Sequence, residues 1–386
     1  MHIGIVSHVS TAQLSAYLNL KGGEPNGTDG ATAPNLLIIE LLKRGYYISV
    51  FSLTNDLDEG HEYTVSGASL TIYFGAYQKR VRNRALSFFK KERRFLRGKI
   101  LEVKPDILHA HWQYEYAWAA LESGIKTVVT CRDSPIRVFL LYRNFYRFIR
   151  LCMAYLVLRK ATVVTATSFY LARDIQKLGI KAKVNVIPNF EPDWLFETSV
   201  LEKDLSNPRI IMINNGFDNR KNVKKGIEAF QILRNDYPRA ELHLYGHGYD
   251  EDGQAALWSR QNGLDKNVYF KGYKNFVDLM RELRTFTILV HPSKEETFGN
   301  ILTESMALGI PVVGGLRSGS VPWVVGLDQK GGVLTDITSS KAIGQSMINI
   351  ICNEDKYRNY VEQARTHAME NFSAQKVVDL YINLYK

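Results

Sequence analysis

Two glutamates eight positions apart, Glu296 and Glu304, stand in the segment from His291 to Gly314, HPSKEETFGNILTESMALGIPVVG. Carboxylates can accept paired hydrogen bonds from the hydroxyls of a sugar or ribose, so their placement decides what they could hold. On one continuous helix that spacing would leave them about 80° apart around the axis. Phe298-Gly299 argues against a continuous helix. The reading is therefore a loop carrying Glu296, then a helix from Asn300 that carries Glu304 and stops at Gly309, with Pro311 beyond it. The start of such a helix offers N–H groups and a positive dipole end to a phosphate. A second cluster, Asn214-Asn215-Gly216-Phe217-Asp218-Asn219-Arg220-Lys221-Asn222, places a glycine turn and two adjacent cations between an apolar strand and a helix. That is a reasonable cradle for a diphosphate, with Arg220 and Lys221 as its charge partners.

The elements that must position these groups read as strands alternating with helices. Phe286–Val290 and Ile210–Ile213 are short apolar runs in the second half. The first half carries such runs at Ile3–Val6, Tyr47–Ser52, Leu70–Phe74, Ile107–Ala110, Lys126–Thr130, Thr162–Thr165 and Lys183–Ile187. Nearly continuous apolar strands belong to parallel sheets covered on both faces, and repeated strand–helix alternation implies doubly wound α/β domains. A chain of 386 residues accommodates two of them. The expected division is 1–190 and 191–371, with the final helix, about 372–386, returning to the first domain.

The string around Glu296 and Glu304 resembles the E-x7-E signature of the family 4 glycosyltransferases, a large retaining group with the GT-B fold. The match runs through Pro292-Ser293, Phe298-Gly299, Glu304-Ser305-Met306-Ala307, Gly309 and Pro311-Val312-Val313, with E-S-M-A where the family usually has E-A-M-A. The resemblance implies two Rossmann-like domains facing a cleft. It also implies a nucleotide-sugar donor, carrying UDP or GDP, on the second domain and an acceptor mainly on the first. The nucleotide-sugar is then a substrate, and no cofactor is implied. Glu304 would hold the ribose and Glu296 the donor sugar. Gly216, Phe298, Gly299, Asn300 and Ile301 would line the donor, and Tyr273, after the Val268–Gly272 strand, would meet the base. Lys221 aligns with the family lysine, whereas the usual arginine is Phe217 here, which makes Arg220 its substitute.

Elsewhere the resemblance is looser. Asp106-Ile-Leu-His109-Ala-His111 looks like the family's D-x-x-H-x-H run, with His109 structural and His111 an acceptor-side residue. Thr130-Cys131-Arg132-Asp133 stands where T-x-H-D is usual, so Arg132 and Asp133 become donor-side candidates. Arginine presents a fork suited to a carboxylate or phosphate; the alternative is that Arg132 pairs with Asp133 or another acid. The long glycine-containing segment Ser10 to Gly30 offers Gly27 to the acceptor and Gly30 to the donor, with Asp29-Gly30 in place of the family's Gly-Gly. Val186-Ile187-Pro188-Asn189 matches V-I-P-N, followed by Phe190 for glycine, and Trp323 departs from the family's G-G-x-x-E.

Composition narrows the class. Hydrophobic residues at 45% and charged residues at 23% suit a soluble globular protein. Three widely spaced cysteines fit a reducing cytoplasm rather than a disulfide framework. No leader is read at the N-terminus. Asp56-Leu57-Asp58 and Asp250-Glu251-Asp252 read as solvated loops, so no metal site is expected. Of the net charge of +10, Lys79 to Lys99 supplies +9, with ten Lys or Arg against one acid. Arg80 to Ile100 is read as one basic amphipathic helix with Leu86, Phe89, Leu96 and Ile100 on a face that meets an anionic membrane surface, the alternative being a solvated charged helix. Ser134 to Lys160 is read as one helical region whose apolar face is Leu141, Phe145, Phe148, Cys152 and Tyr155, mostly packed in the core, the alternative being that its exposed part meets lipid. The acceptor would be a cell-envelope glycan or lipid-linked molecule, and the protein peripheral on the inner face of the cell membrane. Rival readings are a sugar-nucleotide epimerase or phosphorylase of the same fold, a non-catalytic sugar-nucleotide sensor, and a basic nucleic-acid-binding protein. No nucleic-acid motif accompanies the basic run.

Overall fold

The structure is a computed structural model that describes residues 1–28 and 31–386. The chain divides into two compact units, Met1–Asn189 with Val377–Lys386, and Phe190–Lys376. Among the described residues, fourteen strands carry them. The first unit holds β1 (His2–Val6), β2 (Tyr47–Thr54), β3 (Glu62–Ser66), β4 (Leu70–Ala76), β5 (Ile107–His111), β6 (Thr127–Cys131), β7 (Val163–Ala166) and β8 (Val184–Val186). The second holds β9 (Arg209–Ile213), β10 (Glu241–Tyr245), β11 (Val268–Gly272), β12 (Ile288–His291), β13 (Val312–Gly315) and β14 (Gly332–Thr335).

In the first unit the strand order is β3-β4-β2-β1-β5-β6-β7-β8, and in the second β11-β10-β9-β12-β13-β14. Every pairing is parallel except β3 with β4. That antiparallel edge strand has only Val65 buried, so it carries no apolar run to betray it. The second sheet reverses direction between β9 and β12, the crevice where open α/β sheets bind ligands beyond the strands' carboxyl ends. Both sheets are dry. Ile210, Ile211, Ile288, Leu289 and Val312 are fully enclosed, as are Ile3, Ile5, Val50 and Val128 in the first unit. Such two-sided burial produces the unbroken apolar runs seen in the sequence.

Two helical readings need correction. The basic stretch forms two helices, Val81–Leu86 and Lys90–Val103, parted by Phe88 and Phe89, both with left-handed backbones. Phe89, Leu96 and Ile100 are buried in the core, so the amphipathic face is spent on the fold. Several of the cations are also engaged. Arg93 pairs with Glu122 at 2.6 Å and lies over Trp118, Lys99 meets Glu62 and Glu102 at 3.1 Å, and Lys79 meets Asp58 at 2.7 Å. The second stretch is likewise two helices, Pro135–Tyr142 and Phe145–Lys160, turned at Arg143 with φ 42° and restarted by Asn144, whose side chain accepts from Arg147 N at 2.9 Å. The core face of Phe145–Lys160 is Ile149, Met153, Ala154, Val157 and Leu158. Most of the apolar residues assigned to the core by sequence face outward, with Leu141, Phe145, Phe148 and Tyr155 exposed.

Candidate active site

In the second unit the carboxyl end of β12 leads through His291 into the loop that carries Glu296. That loop is fastened from the far side: Ser320 donates from its N–H and its hydroxyl to Glu296 O, both at 3.0 Å, and from the hydroxyl to Phe298 O at 3.1 Å. Phe298 is buried against Trp323 and Phe372, so its side chain anchors the loop and does not face solvent. Gly299 then starts the helix Asn300–Ala307 from φ +88°, a conformation that L side chains rarely adopt. A Cβ there would also press to 3.0 Å from Leu302 Cδ1. Glu296 stays in the loop and Glu304 is in the helix, half-buried Ile301 packing beneath.

The loop brings Glu296 to Lys221, whose Nζ donates to Glu296 Oε1 at 2.6 Å. Lys221 comes from the turn after β9. Gly216 opens that turn at φ +87°, its carbonyl accepting from Tyr249 Oη at 2.5 Å, and Asp218 Oδ1 accepts from Lys221 N at 2.9 Å. Asn222 closes it in the left-handed region, φ 54°, as the first cap of the helix Val223–Asp236. Its Nδ2 donates to Pro292 O at 3.2 Å and Ile337 O at 2.8 Å, tying the turn to the loops after β12 and β14. Asn222 was missed by sequence reasoning; an asparagine just before a helix, behind two cations, was the available sign.

The electrostatics follow from this packing. Burial alone would raise the Glu296 carboxyl, but His291 and the Lys221 ammonium outweigh it and hold it well below the usual carboxylate range. His291 Nε2 stands 3.4 Å from Glu296 Oε1 without the alignment of a hydrogen bond. Around this pair lie buried polar atoms with no hydrogen-bond partner: both side-chain ends of Asn214 at the end of β9, Arg220 Nε in the turn, and both ring nitrogens of His291 at the end of β12. Buried polar groups are normally satisfied, so these atoms at the β9–β12 crevice leave donors and acceptors that a ligand's polar groups can complete.

Glu304 is enclosed, and burial raises its pKa to about 8. A second acid, Glu191, is buried nearby, its own carboxyl pushed up by burial and then by the charge of Glu304. Glu191 accepts from Thr303 Oγ1 at 2.5 Å, and its backbone N–H donates to Phe372 O at 2.8 Å. No sequence argument singled out Glu191, although an acid directly after V-I-P-N-F was in view. Tyr273 is 54% exposed beside the end of β11 and stacks on His247, ring centroids 4.6 Å apart and planes 7° apart.

The first-unit candidates form a separate cluster at the ends of β5 and β6. His109 is fixed by Tyr385 Oη and Thr130 Oγ1, each at 2.7 Å. His111 is fully buried and stacked on His109 at 4.2 Å, its Nδ1 accepting from Arg132 Nη2 at 2.8 Å and its Nε2 unpartnered. Arg132 also donates to Asn189 Oδ1 at 2.8 Å. Asp133 accepts from Gln113 Nε2 and Tyr114 Oη, both at 2.7 Å. Gly27, at φ +78°, packs so tightly that a Cβ would lie 2.1 Å from Val9 O, and its N–H donates to Asp56 Oδ2 at 3.0 Å. Gly30 lies outside the described residues. Among the described residues no group of three or more acids, histidines or cysteines has a metal-binding arrangement, and no helix is long and apolar enough to cross a membrane.

Two α/β units with parallel sheets, one bearing an acid–lysine pair at its switch point, define an architecture of the GT-B class. Residues 36–190 match the family described as Glycosyltransferase Family 4, and residues 196–367 match Glycosyl transferases group 1. The chain belongs to glycosyltransferase family 4. It is 26% identical over 295 residues to the N-acetyl-alpha-D-glucosaminyl L-malate synthase of Bacillus anthracis, spanning 72% of this chain and 74% of that protein. It is 26% identical over 217 residues to the lipopolysaccharide core biosynthesis glycosyltransferase LpsE of Rhizobium meliloti, 55% of this chain and 61% of that one. Among solved structures, the sucrose-phosphate synthase of Thermosynechococcus elongatus superposes with a TM-score of 0.76 at 17% identity, covering 100% of this chain and 98% of the other. The Anabaena protein HepE, solved with UDP, superposes with a TM-score of 0.68 at 18% identity, covering 99% of each.

Proposed function

We propose that this glycosyltransferase moves a hexose from a UDP- or GDP-sugar to a hydroxyl of a cell-envelope glycan or lipid-linked acceptor, with retention at the anomeric carbon. The observation that carries the reading is the Lys221–Glu296 pair, with His291 3.4 Å from Glu296 and with the side-chain ends of Asn214 and Arg220 Nε buried without a hydrogen-bond partner. The diphosphate would take Lys221 and Arg220, with the start of the Asn300–Ala307 helix behind it. Glu304 would hold the ribose hydroxyls, the exposed face of Tyr273 the base, and Glu296 the hydroxyls of the sugar. UDP bound to HepE and the envelope role in the name of LpsE support this choice of donor and acceptor class.

In the reaction the acceptor oxygen attacks the anomeric carbon while the bond to the diphosphate breaks. The electron pair passes to the leaving phosphate oxygen, which takes the acceptor's proton, and same-face attack retains the configuration. Arg220 and Lys221 offset the charge that grows on the leaving group, the kind of preorganised electrostatic effect that usually dominates such catalysis. These cations make a resident metal unnecessary to the scheme. Incubation with a panel of UDP- and GDP-sugars and envelope glycolipid extracts tests it. Transfer with release of nucleoside diphosphate is expected, and binding without turnover across the panel would favour a non-catalytic sugar-nucleotide sensor.

A further inference from the structure

We infer that the helix pair Pro135–Tyr142 and Phe145–Lys160 is a membrane-docking face that seats the first unit on an anionic bilayer. The inference rests on the lipid-linked acceptor proposed above and names the surface that would meet it.

The helix Phe145–Lys160 carries two apolar faces. One, from Ile149 through Met153 and Val157, is buried in the unit. The other, Phe145, Phe148, Cys152 and Tyr155, recurs at three- and four-residue spacing and points away. Phe145 is 64% exposed and Phe148 47%. The preceding helix ends in Leu140, Leu141 and Tyr142, each more than half exposed, so with Phe145 the turn at Arg143 projects four large apolar side chains within six positions. Phe139 and Phe148 hold the two helices together, ring centroids 5.9 Å apart. The short helix Val81–Leu86 packs beside Phe145–Lys160 and adds exposed Val81 and Leu86. Exposed large apolar side chains gathered on neighbouring helices of an otherwise well-packed unit mark an interaction surface.

Charge selects the partner. Ser134 to Lys160 contains six Lys or Arg and no Asp or Glu. Arg137 and Arg150 are spent on Asp174 and Glu115 within the unit. Arg147 lies over the rings of Tyr142 and Tyr146, at 5.0 and 5.4 Å, and Arg159 over Tyr155 at 5.4 Å. Aromatic rings with cations at their margins suit the boundary between acyl chains and anionic headgroups. A second copy of this chain fits less well, because an isologous contact would bring the same unbalanced cations face to face. Here the apolar groups are free to insert, unlike those of Lys90–Val103, which the core has taken.

The test is co-sedimentation of the full chain with phosphatidylcholine vesicles, with and without phosphatidylglycerol. The variant replaces Leu140, Leu141 and Phe145 with Gln, keeps Phe148 with its contact to Phe139, and leaves every charge in place. The wild type should bind the anionic vesicles, weakly the neutral ones, and the variant should lose at least about tenfold in affinity. Its thermal midpoint should stay within about 2 °C of the wild type, since the side chains removed are exposed. Unchanged vesicle binding by the variant would overturn the inference. So would a wild type that ignores vesicles but self-associates through this face, read by light scattering. Nucleoside diphosphate release from the donor without vesicles separates the two readings. Vesicle binding without any turnover would leave the docking face standing and remove the transferase proposal.

Discussion

Lys221→Ala probes the site where geometry and chemistry meet. The substitution removes an ammonium 2.6 Å from Glu296, with the two side chains only 12% and 15% exposed. Removing one partner of a buried pair costs about 3–5 kcal/mol. Partial exposure and the remaining His291 place this one at the lower end, about 3 kcal/mol, or roughly 6–10 °C of thermal midpoint for a unit of this size. The pH dependence has a definite sign. Glu296 lies below its ordinary value of 4.5, so the stability it contributes is full above that value and is lost only as pH falls through the lower folded value. In the variant burial acts on Glu296 with less opposition, so the deficit is largest near neutral pH and shrinks as the orphaned carboxyl takes up a proton. Turnover should fall by roughly 10²–10³ because a charge partner of the leaving group is gone. Glu296→Gln added to Lys221→Ala should recover most of the stability and none of the kcat. Thermal unfolding between acid and neutral pH, with nucleoside diphosphate release as the rate assay, reads both. Additive stability effects in the double variant, or normal turnover in the single one, would refute the reasoning.

Glu191→Gln should act in the opposite direction: Glu191 and Glu304 have raised values, so their contribution is full below the ordinary carboxylate range and lost as pH rises through the folded values. The wild-type midpoint should therefore fall from mildly acidic to alkaline pH, and the variant should flatten that slope; identical pH profiles would contradict the buried-acid account. Asn222→Ala should cost about 2–4 kcal/mol in urea unfolding, from two lost hydrogen bonds and a left-handed backbone that alanine resists. Asn222→Gly, which keeps the backbone, should cost less; equal losses would mean that the backbone contributes nothing.

The strands were legible because two-sided burial leaves unbroken apolar runs, as at Ile210–Ile213. The edge strand Glu62–Ser66 left no such trace, having one buried residue. The loop position of Glu296 followed from Phe298-Gly299, since glycine at φ +88° interrupts the helix. What a linear pattern cannot carry is contact across the fold. The Lys221–Glu296 pair joins residues 75 positions apart, and the pairing of Glu191 with Thr303 joins residues 112 apart. Periodicity also misassigned the two faces of Phe145–Lys160. Both are apolar at helical spacing, and only packing tells which one is covered.

The central claim is that the second unit binds a nucleoside diphosphate at the β9–β12 crevice through Lys221 and Arg220. Equilibrium titration of the full chain with UDP, GDP, UMP and inorganic phosphate tests it most directly. The account predicts one diphosphate nucleotide bound per chain, more tightly than UMP or phosphate, with binding weakened at least about tenfold in Lys221→Ala. Failure of every nucleoside diphosphate to bind, or equal binding by wild type and Lys221→Ala, would contradict it.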